Sequence, residues 1–479
     1  MIGRKAESEK LIELYNRNSF ELVAIYGRRR VGKTYLVDEV FSDKLSFRHA
    51  GLSPVETGKN EKARPLKQQL QAFYYSLLSY GMKKSHCPKD WLEAFFMLEM
   101  FLQEKDDGSR QVIFLDELPW MDTNKSGFIT AFEAFCNGWA SHRKNVMVVV
   151  CGSANSWILD KLINDQGGLY DRVTYEMHLE PFSLKECEDF LKERGTALSR
   201  YDIVQSYMLV GGVPYYLNYL QKGKSLSQSI DSMFFEKNAQ LKDEYRRLFA
   251  STFKNPDKIQ KIVEVLSKRS SGFTRNEISE KAGISNGGTL TEMLSALIAS
   301  DFIMKYVPFG LSKMDEHYKL IDPFCIFYLK FVKNRDKLDG QFWQQNTSSN
   351  SISSWRGYAF ENVCFNHIHQ IKTALGIPAI SSEESAWSKK ADDEEGAQID
   401  LIIVRKDNVV NMCEIKFYGD EFVVNNKYER TIRNRQMLIS NMVNKKSIVH
   451  NTLISTYGLK ANEYSSIFDN VITLDDLFM

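Results

Sequence analysis

The chain has 479 residues, with 62 basic and 61 acidic side chains and a formal net charge of +1. Because hydrophobic cores stop growing near about 250–300 residues, a chain of this length is expected to divide into several domains. Its hydrophobic fraction of 43% is high enough for all of them to fold. A net charge near zero excludes attraction of the whole molecule to nucleic acid or to an anionic membrane, so any nucleic-acid contact has to be a local patch.

The cysteines and the apolar runs indicate the cellular compartment in which the protein is expected. Seven cysteines are scattered along the chain without a CxxC pair, which predicts reduced thiols and neither a disulfide framework nor a zinc site. The N-terminal stretch MIGRKAESEKLIELY lacks the apolar segment of a signal peptide, and the longest apolar run, near Val146–Cys151, is far shorter than a membrane span. The sequence therefore predicts a cytoplasmic protein.

Short apolar runs alternate with helical patterns over residues 1–180. Three of these runs are predicted strands: ELVAIY at Glu21–Tyr26, QVIFLDE at Gln111–Glu117 and VMVVVCG at Val146–Gly152. Continuous apolar runs are typical of strands buried on both faces, so we predict a parallel sheet between helices as the core of an α/β domain. Helical patterns continue over residues 181–250, with a GGVP break at Gly211–Pro214, and predict a helical lid.

The first predicted strand leads into GRRRVGKT, which matches the phosphate-binding pattern G-x-x-x-x-G-K-[ST]. In such a loop the glycines let backbone N–H groups approach the phosphates, Lys33 reaches the β- and γ-phosphates, and the Thr34 hydroxyl binds Mg²⁺. The helix that follows adds the positive end of its dipole. We therefore predict an ATP and Mg²⁺ site whose nucleotide contacts are Gly27, Arg28, Arg29, Arg30, Val31, Gly32, Lys33, Thr34 and Tyr35.

Two acids, Asp116 and Glu117, end the next predicted strand. In P-loop ATPases the first acid supports Mg²⁺ and its neighbour polarises the attacking water. Asp116 is therefore a predicted metal residue, while Glu117 and Lys33 are predicted catalytic residues. The alternative is an ordinary strand end with two solvated acids.

Polar residues that follow the third predicted strand reach the same edge of the sheet. Ser153 and Asn155 are candidates to sense the γ-phosphate, although Ser153 could equally be the N-cap of the next helix. Arg172 is a candidate arginine finger, because a guanidinium stabilises charge on a transferring phosphoryl group. The alternative for Arg172 is a surface ion pair with Asp171 or Asp165.

Residues 251–335 read as three short helices followed by strands, the pattern of a winged helix. Its predicted recognition helix, TLTEMLSALIAS, contains no basic residue, and only Arg275, Lys281 and Asn286 lie nearby. We therefore expect this helix to pack against the ATPase or a protein partner, with base reading as the alternative. The polar stretch at 336–354 is the predicted linker.

A last α/β unit is predicted over residues 355–479. Asp400 lies on one predicted strand, and Glu414 and Lys416 lie on the next, two positions apart and therefore on one face. Glu361, on the preceding helix, adds a third acid. Acids of this kind hold Mg²⁺, which activates water, while a lysine positions the nucleophile, so Glu361, Asp400 and Glu414 are predicted metal residues, and Asp400, Glu414 and Lys416 predicted catalytic residues. The alternative is the solvent face of an antiparallel strand.

Two charged segments flank these residues. The basic one suits a surface that follows DNA phosphates, although a solvated basic helix explains it as well. It consists of Lys427, Arg430, Arg433, Arg435, Lys445 and Lys446, opposed by Glu429. The acidic run Asp392–Glu395 predicts an exposed loop to which we assign no chemistry.

Several of these motifs together resemble the archaeal- and bacterial-type ATPases of the STAND/AAA+ superfamily. The motifs are IGR at Ile2–Arg4 with Glu7, GRRRVGKT, VIFLDE, CGS, the DRV-to-LEPFS segment and GGVPYYL. The resemblance implies that Gly212 and Pro214 face the nucleotide and that Arg4 lies on its adenine side. It also implies a winged helix and a C-terminal nuclease-like domain. The set Glu361, Asp400 and Glu414-Ile415-Lys416 is similar to the PD-(D/E)xK nuclease superfamily, with Ile399 in place of the motif's proline.

The expected architecture is a multidomain α/β protein with five segments. They are a P-loop ATPase core (1–180), a helical lid (181–250), a winged helix (251–335), a linker (336–354) and a restriction-endonuclease-like domain (355–479). The expected function is an ATP-binding and ATP-hydrolysing switch coupled to a DNA-interacting, Mg²⁺-dependent nuclease. The alternative is a signalling or scaffold ATPase whose last domain binds nucleic acid or protein without cutting. Expected partners are ATP, DNA at the basic face, a protein at the winged helix and further copies of the chain, with no membrane.

Overall fold

The computed structural model describes residues 3–53, 65–153, 155–163, 168–169, 171–253, 255–335, 339–389 and 397–479. Ile2, Asp165 and the acidic run Asp392–Glu395, which entered the predictions, lie outside the described residues. The chain forms two compact units. The first consists of Met1–Pro181, Arg246–Ile259 and Thr291–Asp301, and the second of Phe182–Tyr245, Gln260–Leu290 and Phe302–Met479.

A five-stranded parallel sheet forms the centre of the first unit. Its strands are β1 (Glu21–Tyr26), β2 (Leu45–Ala50), β3 (Gln111–Asp116), β4 (Val146–Gly152) and β5 (Tyr175–His178). Their order is β2-β3-β4-β1-β5, and all neighbours are parallel. The predicted apolar strands are β1, β3 and β4, so the predicted α/β core with a parallel sheet is confirmed.

Helices cover both faces of this sheet, because alternate residues of each strand point to opposite sides. The helices in this part of the chain are α1 (Lys5–Tyr15), α2 (Lys33–Phe41), α3 (Pro65–Ser79), α4 (Trp91–Glu104), α5 (Leu118–Met121), α6 (Phe128–Ala134) and α7 (Asn155–Ile158). One core layer packs Leu22, Ile113 and Val148 against the aromatic residues of helices α3, α4 and α6. The other packs Val23, Phe114 and Val149 against helices α1 and α2.

The second unit begins with helices, as the sequence predicts for 181–250. They are α8 (Leu184–Glu193), α9 (Arg200–Val210), α10 (Pro214–Leu217), α11 (Leu226–Phe234) and α12 (Glu244–Thr252). Ser183 and Ser225 begin α8 and α11 with capping boxes, in which the serine and the third helical residue satisfy each other's backbone N–H groups. Residues of α12, and of α13 and α15 below, are divided between the two units.

Three helices and a small antiparallel sheet follow. They are α13 (Pro256–Leu266), β6 (Phe273–Thr274), α14 (Arg275–Ala282), α15 (Gly288–Ala299), β7 (Ile303–Tyr306) and β8 (His317–Leu320), with the strands in the order β6-β8-β7. Thr274 caps α14 in a capping box with Glu277.

Part of the segment predicted to be a linker forms a helix in the structure. Residues 342–346 form helix α17 (Phe342–Asn346), which follows α16 (Pro323–Phe327). Trp343 is only 2% exposed and packs edge-on against Phe331 and Trp355, and its backbone N–H donates to Asp231 Oδ1 at 2.7 Å. A polar composition predicted a solvated linker here, but one buried tryptophan holds this part of it in a core.

A mixed five-stranded sheet ends the second unit. Its elements are α18 (Asn350–Asn366), α19 (Ile368–Ala374), β9 (Ser382–Lys389), β10 (Ala397–Arg405), β11 (Val409–Lys416), α20 (Asn426–Met442), β12 (Ile448–Ser455) and β13 (Asn470–Ile472). The strand order is β13-β12-β11-β10-β9. Strands β9, β10 and β11 are antiparallel to one another, and β11, β12 and β13 are parallel. No helix among the described residues is long and apolar enough to cross a membrane.

Candidate functional site

The loop between β1 and α2 has the conformation that its two glycines allow. Gly27 has a φ of 144°, and a Cβ at this position would lie 2.3 Å from the Leu179 carbonyl oxygen. Gly32 has a φ of 97° and is the N-cap of α2. Both φ values favour glycine, so the backbone can turn its N–H groups toward an anion at the start of α2.

Lys33 is buried across this loop. Its Nζ donates to the carbonyl oxygens of Gly27, at 2.8 Å, and Arg28, at 3.1 Å. Burial lowers the pKa of Lys33, while the charges of Glu117 and Asp116 raise it. The ammonium group is thus held over the loop by two carbonyls that phosphate oxygens would replace.

Asp116 lies directly beside the P-loop hydroxyl. Thr34 Oγ1 donates to Asp116 Oδ2 at 2.9 Å, and Cys151 Sγ and the Glu117 backbone N–H donate to Oδ1 at 2.6 and 2.9 Å. A hydroxyl and a carboxylate side by side are hard oxygen donors, which suit Mg²⁺. The structure therefore brings Thr34 and Asp116 together, as predicted for two metal residues.

Glu117 is held by the end of β4. Its φ of 47° is left-handed, and its carboxylate accepts hydrogen bonds from the Ser153 backbone N–H and Oγ at 3.0 Å. Ser153 was expected to sense phosphate or to cap a helix, and in this structure it positions the predicted base instead.

Asn155 connects the P-loop to a distant helix. It is fully buried, its Oδ1 accepts from the Gly27 backbone N–H at 3.0 Å, and its Nδ2 donates to the Ala299 carbonyl at the end of α15 at 2.8 Å. A second contact joins the same region, because His178 Nε2 lies 3.0 Å from Asp301 Oδ2. The C-terminal end of α15 therefore packs against the parallel-sheet core of the first unit.

The remaining side chains of residues 28–35 differ in burial and in backbone conformation. Arg28 is 1% exposed, and Val31 is buried in a core layer, so only their backbones are available to a nucleotide. The Arg29 guanidinium lies 6.0 Å from the Trp120 ring, Arg30 has a left-handed φ of 73°, and Tyr35 is exposed.

Arg4 donates hydrogen bonds to backbone carbonyl groups, one of which belongs to the P-loop. Its Nη2 donates to the carbonyl oxygens of Val31 and Glu180, and its Nη1 to Glu7 Oε1 at 3.2 Å. The guanidinium is thus occupied by backbone and by Glu7, and its predicted place on the adenine side stays a prediction.

Arg172, Gly212 and Pro214 are the predicted nucleotide contacts that follow β4 in the chain. Arg172 is exposed, and within the described part of the chain no ion pair joins it to Asp171. In the second unit, Gly212 accepts a 2.6 Å hydrogen bond from the Phe182 N–H, and a Cβ on Gly212 would lie 1.8 Å from the Phe182 oxygen. Pro214 is the first residue of α10. A close backbone contact thus explains Gly212, and the nucleotide roles of Gly212 and Pro214, like the finger role of Arg172, stay predictions.

In the C-terminal sheet, Glu414 is surrounded by cations. Its Oε1 lies 2.6 Å from Lys416 Nζ and also accepts from the Tyr428 hydroxyl, and its Oε2 lies 2.6 Å from Arg435 Nη1. Burial raises the pKa of Glu414, but Lys416 and Arg435 more than offset this, so the pKa is lowered. Both carboxylate oxygens are therefore in use.

Asp400 and Glu361 lie close enough to repel each other. Asp400 Oδ2 accepts from the Ile415 N–H at 3.3 Å, and burial together with the charge of Glu414 raises the pKa of Asp400 to about 6. Burial and the charge of Asp400 likewise raise the pKa of Glu361. The charges of Asp400 and Glu414 act on Glu361, and that of Glu414 acts on Asp400, while their shared metal role stays a prediction.

Lys319, on β8, is a member of this cluster that the sequence did not predict. It is 4% exposed, and its Nζ lies 4.5 Å from the Phe365 ring centroid and 5.9 Å from that of Tyr358. Burial lowers the pKa of Lys319, and the charges of Glu361 and Asp400 raise it. Nothing in the sequence of this four-residue strand marks Lys319 as a neighbour of the acids.

Two observations bear on the expectations for this region. Among the described residues no three Asp, Glu, His or Cys side chains form a ready-made metal cluster, and Glu414 is paired with Lys416 and Arg435. The metal roles of Glu361, Asp400 and Glu414 stay predictions. Arg435, expected on a phosphate-binding surface, instead binds Glu414, and Arg433 pairs with Glu429 at 2.6 Å. Arg433 is exposed although it pairs with Glu429, and the other exposed basic residues of this set are Lys427, Arg430, Lys445 and Lys446.

Two of the candidate base-reading residues beside α15, Arg275 and Asn286, are bonded to each other. Arg275 donates to the Asn286 side chain and to the Gly287 carbonyl, the latter at 2.9 Å. The exposed face of α15 carries Thr289, Thr291, Glu292 and Ser295, which include no cation. This surface is not suited to bidentate recognition of guanine by a basic side chain.

Comparisons with known proteins found one matching family and several similar proteins. Residues 1–220 match a family described as an ATPase domain predominantly from Archaea. An uncharacterized protein of Methanocaldococcus jannaschii is 24% identical over 420 residues, which is 87% of each chain. An uncharacterized ATP-binding protein of the same organism is 44% identical over 43 residues, 9% of this chain and 73% of that protein. A Walker-type ATPase structure from Pyrococcus abyssi has a TM-score of 0.46 and 19% identity, covering 69% of this chain and 96% of that one. By the family match, residues 1–220 are similar to an ATPase domain of this archaeal type.

Proposed function

We propose that the first unit binds and hydrolyses ATP and acts as a switch for a DNA-interacting C-terminal domain. The observation that carries the nucleotide part is the hydrogen bond from Thr34 to Asp116, next to the buried Lys33. These groups surround a glycine-supported loop at the N-terminus of α2, which is where a triphosphate is expected to bind.

The residues of the first unit have distinct roles in hydrolysis. Thr34 and Asp116 would hold Mg²⁺, which neutralises phosphate charge when it is bound. Lys33 would bind the β- and γ-phosphates in place of its present carbonyl partners. Glu117, once released from Ser153, would orient the attacking water and accept its proton. Arg172 would act as a finger toward the nucleotide of another copy.

For the C-terminal sheet we propose a Mg²⁺-dependent nuclease site. Glu361 and Asp400 would hold the metal, which activates water and supports charge on the phosphodiester when it is bound. Lys416 would position the nucleophile, and the exposed basic residues of α20 and the turn after it would bind neighbouring phosphates. The convergence of the two acids with Glu414 and Lys416 supports this proposal.

A second candidate is a C-terminal domain that binds DNA or protein without cutting. The pairing of Glu414 with both Lys416 and Arg435 favours it, because an acid neutralised by two cations has little affinity left for a metal.

The test has two independent arms on the purified full chain. In the first, phosphate release from ATP is expected to fall by at least about 100-fold in Lys33→Ala and Glu117→Gln, with ATP binding retained in Glu117→Gln. In the second, plasmid, single-stranded and branched DNA are incubated with Mg²⁺ or Mn²⁺, with and without ATP. Cleavage that is lost in Asp400→Asn and altered by ATP supports the switched nuclease. Phosphate release without cleavage favours the non-cutting candidate, and release unchanged in Lys33→Ala contradicts the ATPase proposal.

A further inference from the structure

The Asp116 carboxylate is bonded to a residue of β4 that has no role in the proposed hydrolysis. Cys151 Sγ lies 2.6 Å from Asp116 Oδ1, and the Glu117 backbone N–H donates to the same oxygen at 2.9 Å. An ionised carboxylate has no proton to donate, so the thiol is the donor in this contact. The other oxygen, Oδ2, accepts from Thr34 Oγ1 at 2.9 Å. The two oxygens of this acid therefore have separate donors.

The topology of the parallel sheet brings this thiol to the acid. Strand β4 lies beside β3, and Leu115 is the register partner of Val150. The next residues, Asp116 and Cys151, are therefore adjacent, and side chains at matching positions of neighbouring strands point to the same face. Helix α2 packs on this face, because Cys151 belongs to the same core layer as the apolar residues of α2. The thiol, the acid and the hydroxyl in the first turn of α2 thus meet on one side of the sheet.

The orientation of the Asp116 carboxylate depends on its hydrogen bonds. The last torsion of an aspartate side chain is broad and roughly twofold, so the donors decide which oxygen faces which neighbour. The Glu117 N–H is adjacent in the chain and moves with Asp116, whereas Cys151 donates from another strand. On the other side, Arg48 Nη2 lies 3.9 Å from Oδ2, which is too far for a hydrogen bond. Without the thiol, we expect the carboxylate to turn toward Arg48 and away from Thr34.

We propose that Cys151 is a positioning residue of the ATP site, which holds Asp116 so that Oδ2 stays directed at the Thr34 hydroxyl. Both partners are buried, since Cys151 is 1% exposed and Asp116 is 6% exposed, so water does not compete for this contact. A cysteine packs as a small hydrophobe and still carries a weak donor, which suits a position between a core layer and an acid. The inference rests on the proposed ATP site, because its effect on hydrolysis requires that Asp116 serves the nucleotide.

The first arm of the test compares the same substitution at two buried cysteines of the full-length protein. Cys151→Ala removes the donor, and Cys151→Ser keeps one. Cys136→Ala is the matched control, because Cys136 is 0% exposed in the other core layer and no acid in the described part of the chain accepts from its thiol. We expect Cys151→Ala to lower phosphate release at saturating ATP by about tenfold while the affinity for a fluorescent ATP analogue changes by less than about twofold. Cys151→Ser is expected to restore most of the rate, and Cys136→Ala to keep the wild-type rate.

The second arm requires no nucleotide. The melting temperatures of the wild type, Cys151→Ala, Asp116→Ala and the double variant are measured without ATP. If the thiol acts through the acid, Cys151→Ala lowers the melting temperature in the wild type by about twice as much as in Asp116→Ala, or more, because the hydrogen bond is already absent there. Cys151→Val also lacks the donor and replaces Cys151→Ala in both arms if that variant folds poorly.

Two results would overturn the proposal. One is phosphate release in Cys151→Ala that equals the rate of Cys136→Ala, and the other is a melting loss from Cys151→Ala that is the same with and without the Asp116 side chain. A Cys151→Ser variant as slow as Cys151→Ala would likewise count against a donor role. If the wild type releases no phosphate, the proposed ATPase fails, and the melting comparison alone then decides whether Cys151 holds Asp116.

Discussion

The two glycines of the P-loop differ in what surrounds them. A Cβ at Gly27 would lie 2.3 Å from a backbone oxygen, whereas a Cβ at Gly32 would have no neighbour within 4 Å. We expect Gly27→Ala to lower the free energy of unfolding by about 3 kcal/mol or more, because backbone must move. Gly32→Ala is expected to cost only about 1 kcal/mol, from its left-handed φ. Urea unfolding of the full chain followed by fluorescence compares the two, and equal losses would contradict the steric explanation.

Glu188 binds three basic side chains in the second unit. Arg200 Nε lies at 3.0 Å and the Nζ atoms of Lys185 and Lys192 at 3.2 Å. The hydrogen bond from Arg200 is the largest cause that lowers the pKa of Glu188 to about 2, from 4.5. Because the folded pKa is the lower one, the stabilisation is present above about pH 4.5 and is lost as the pH falls toward about 2.

We therefore expect Glu188→Gln to lower the free energy of unfolding by about 2 kcal/mol at pH 7 and by less than half of that at about pH 3. Thermal melting across this range measures the difference. Glu193→Gln, an exposed position on the same helix, is the control and is expected to change little at either pH. A loss in Glu188→Gln that is independent of pH would point to packing rather than charge.

Local motifs predicted the residues whose roles depend on near neighbours in the chain. Lys33 and Thr34 follow from the loop pattern, and the Thr34–Asp116 contact follows from β1 and β3 ending at the same edge of a parallel sheet, on either side of β4. The burial of Lys319 against Phe365 was not predictable, because it depends on a separate sheet meeting α18 in space. Arg435 was assigned to phosphate binding from the charge of its helix, and only the fold shows that it turns toward Glu414.

Asn155 is the side chain that fixes the end of α15 to the P-loop within the first unit. Its two hydrogen bonds join residues 128 and 144 positions away, and its side chain is fully buried. We expect Asn155→Leu to lower the free energy of unfolding by about 2–4 kcal/mol, because the Gly27 N–H and the Ala299 carbonyl would lose their partner while remaining buried. Hydrogen exchange of the amides in α15 is expected to accelerate.

The control for this element is Ser295→Ala, on the exposed face of α15, which is expected to leave both stability and exchange unchanged. Slower exchange in Asn155→Leu, or stability equal to that of the wild type, would mean that α15 is held by its apolar face alone. That apolar face includes Leu290, Leu294 and Leu297.

Continuous apolar runs predicted strands well where both faces of the strand are buried. The apolar runs became β1, β3 and β4, and the helix after Thr274 begins at its capping box. Composition was a poor guide at residues 342–346, because one tryptophan outweighs several polar residues once an aromatic pocket is available. Trp343 finds such a pocket between Phe331 and Trp355, which the sequence alone does not place together.

At the scale of the whole molecule, a net charge of +1 leaves DNA binding to a local patch. The exposed candidates are Lys427, Arg430, Lys445 and Lys446, since Arg433 and Arg435 are paired with acids. Each phosphate contact releases counter-ions and makes the logarithm of affinity fall with the logarithm of salt concentration by about 0.9 per contact. Four contacts predict a slope of about −3 to −4 for duplex DNA.

We expect Lys445→Ala with Lys446→Ala to weaken duplex binding and to make the slope less steep by about 2, because two contacts are lost. The control replaces Lys222 and Lys224, which are exposed in a turn of the second unit, by alanine and changes the net charge equally. Fluorescence anisotropy with a labelled duplex at several salt concentrations measures both variants. If the two double variants lose slope equally, net charge and not the α20 surface governs binding. If neither does, DNA is bound elsewhere, and the non-cutting candidate with a protein partner becomes the better account of the C-terminal sheet.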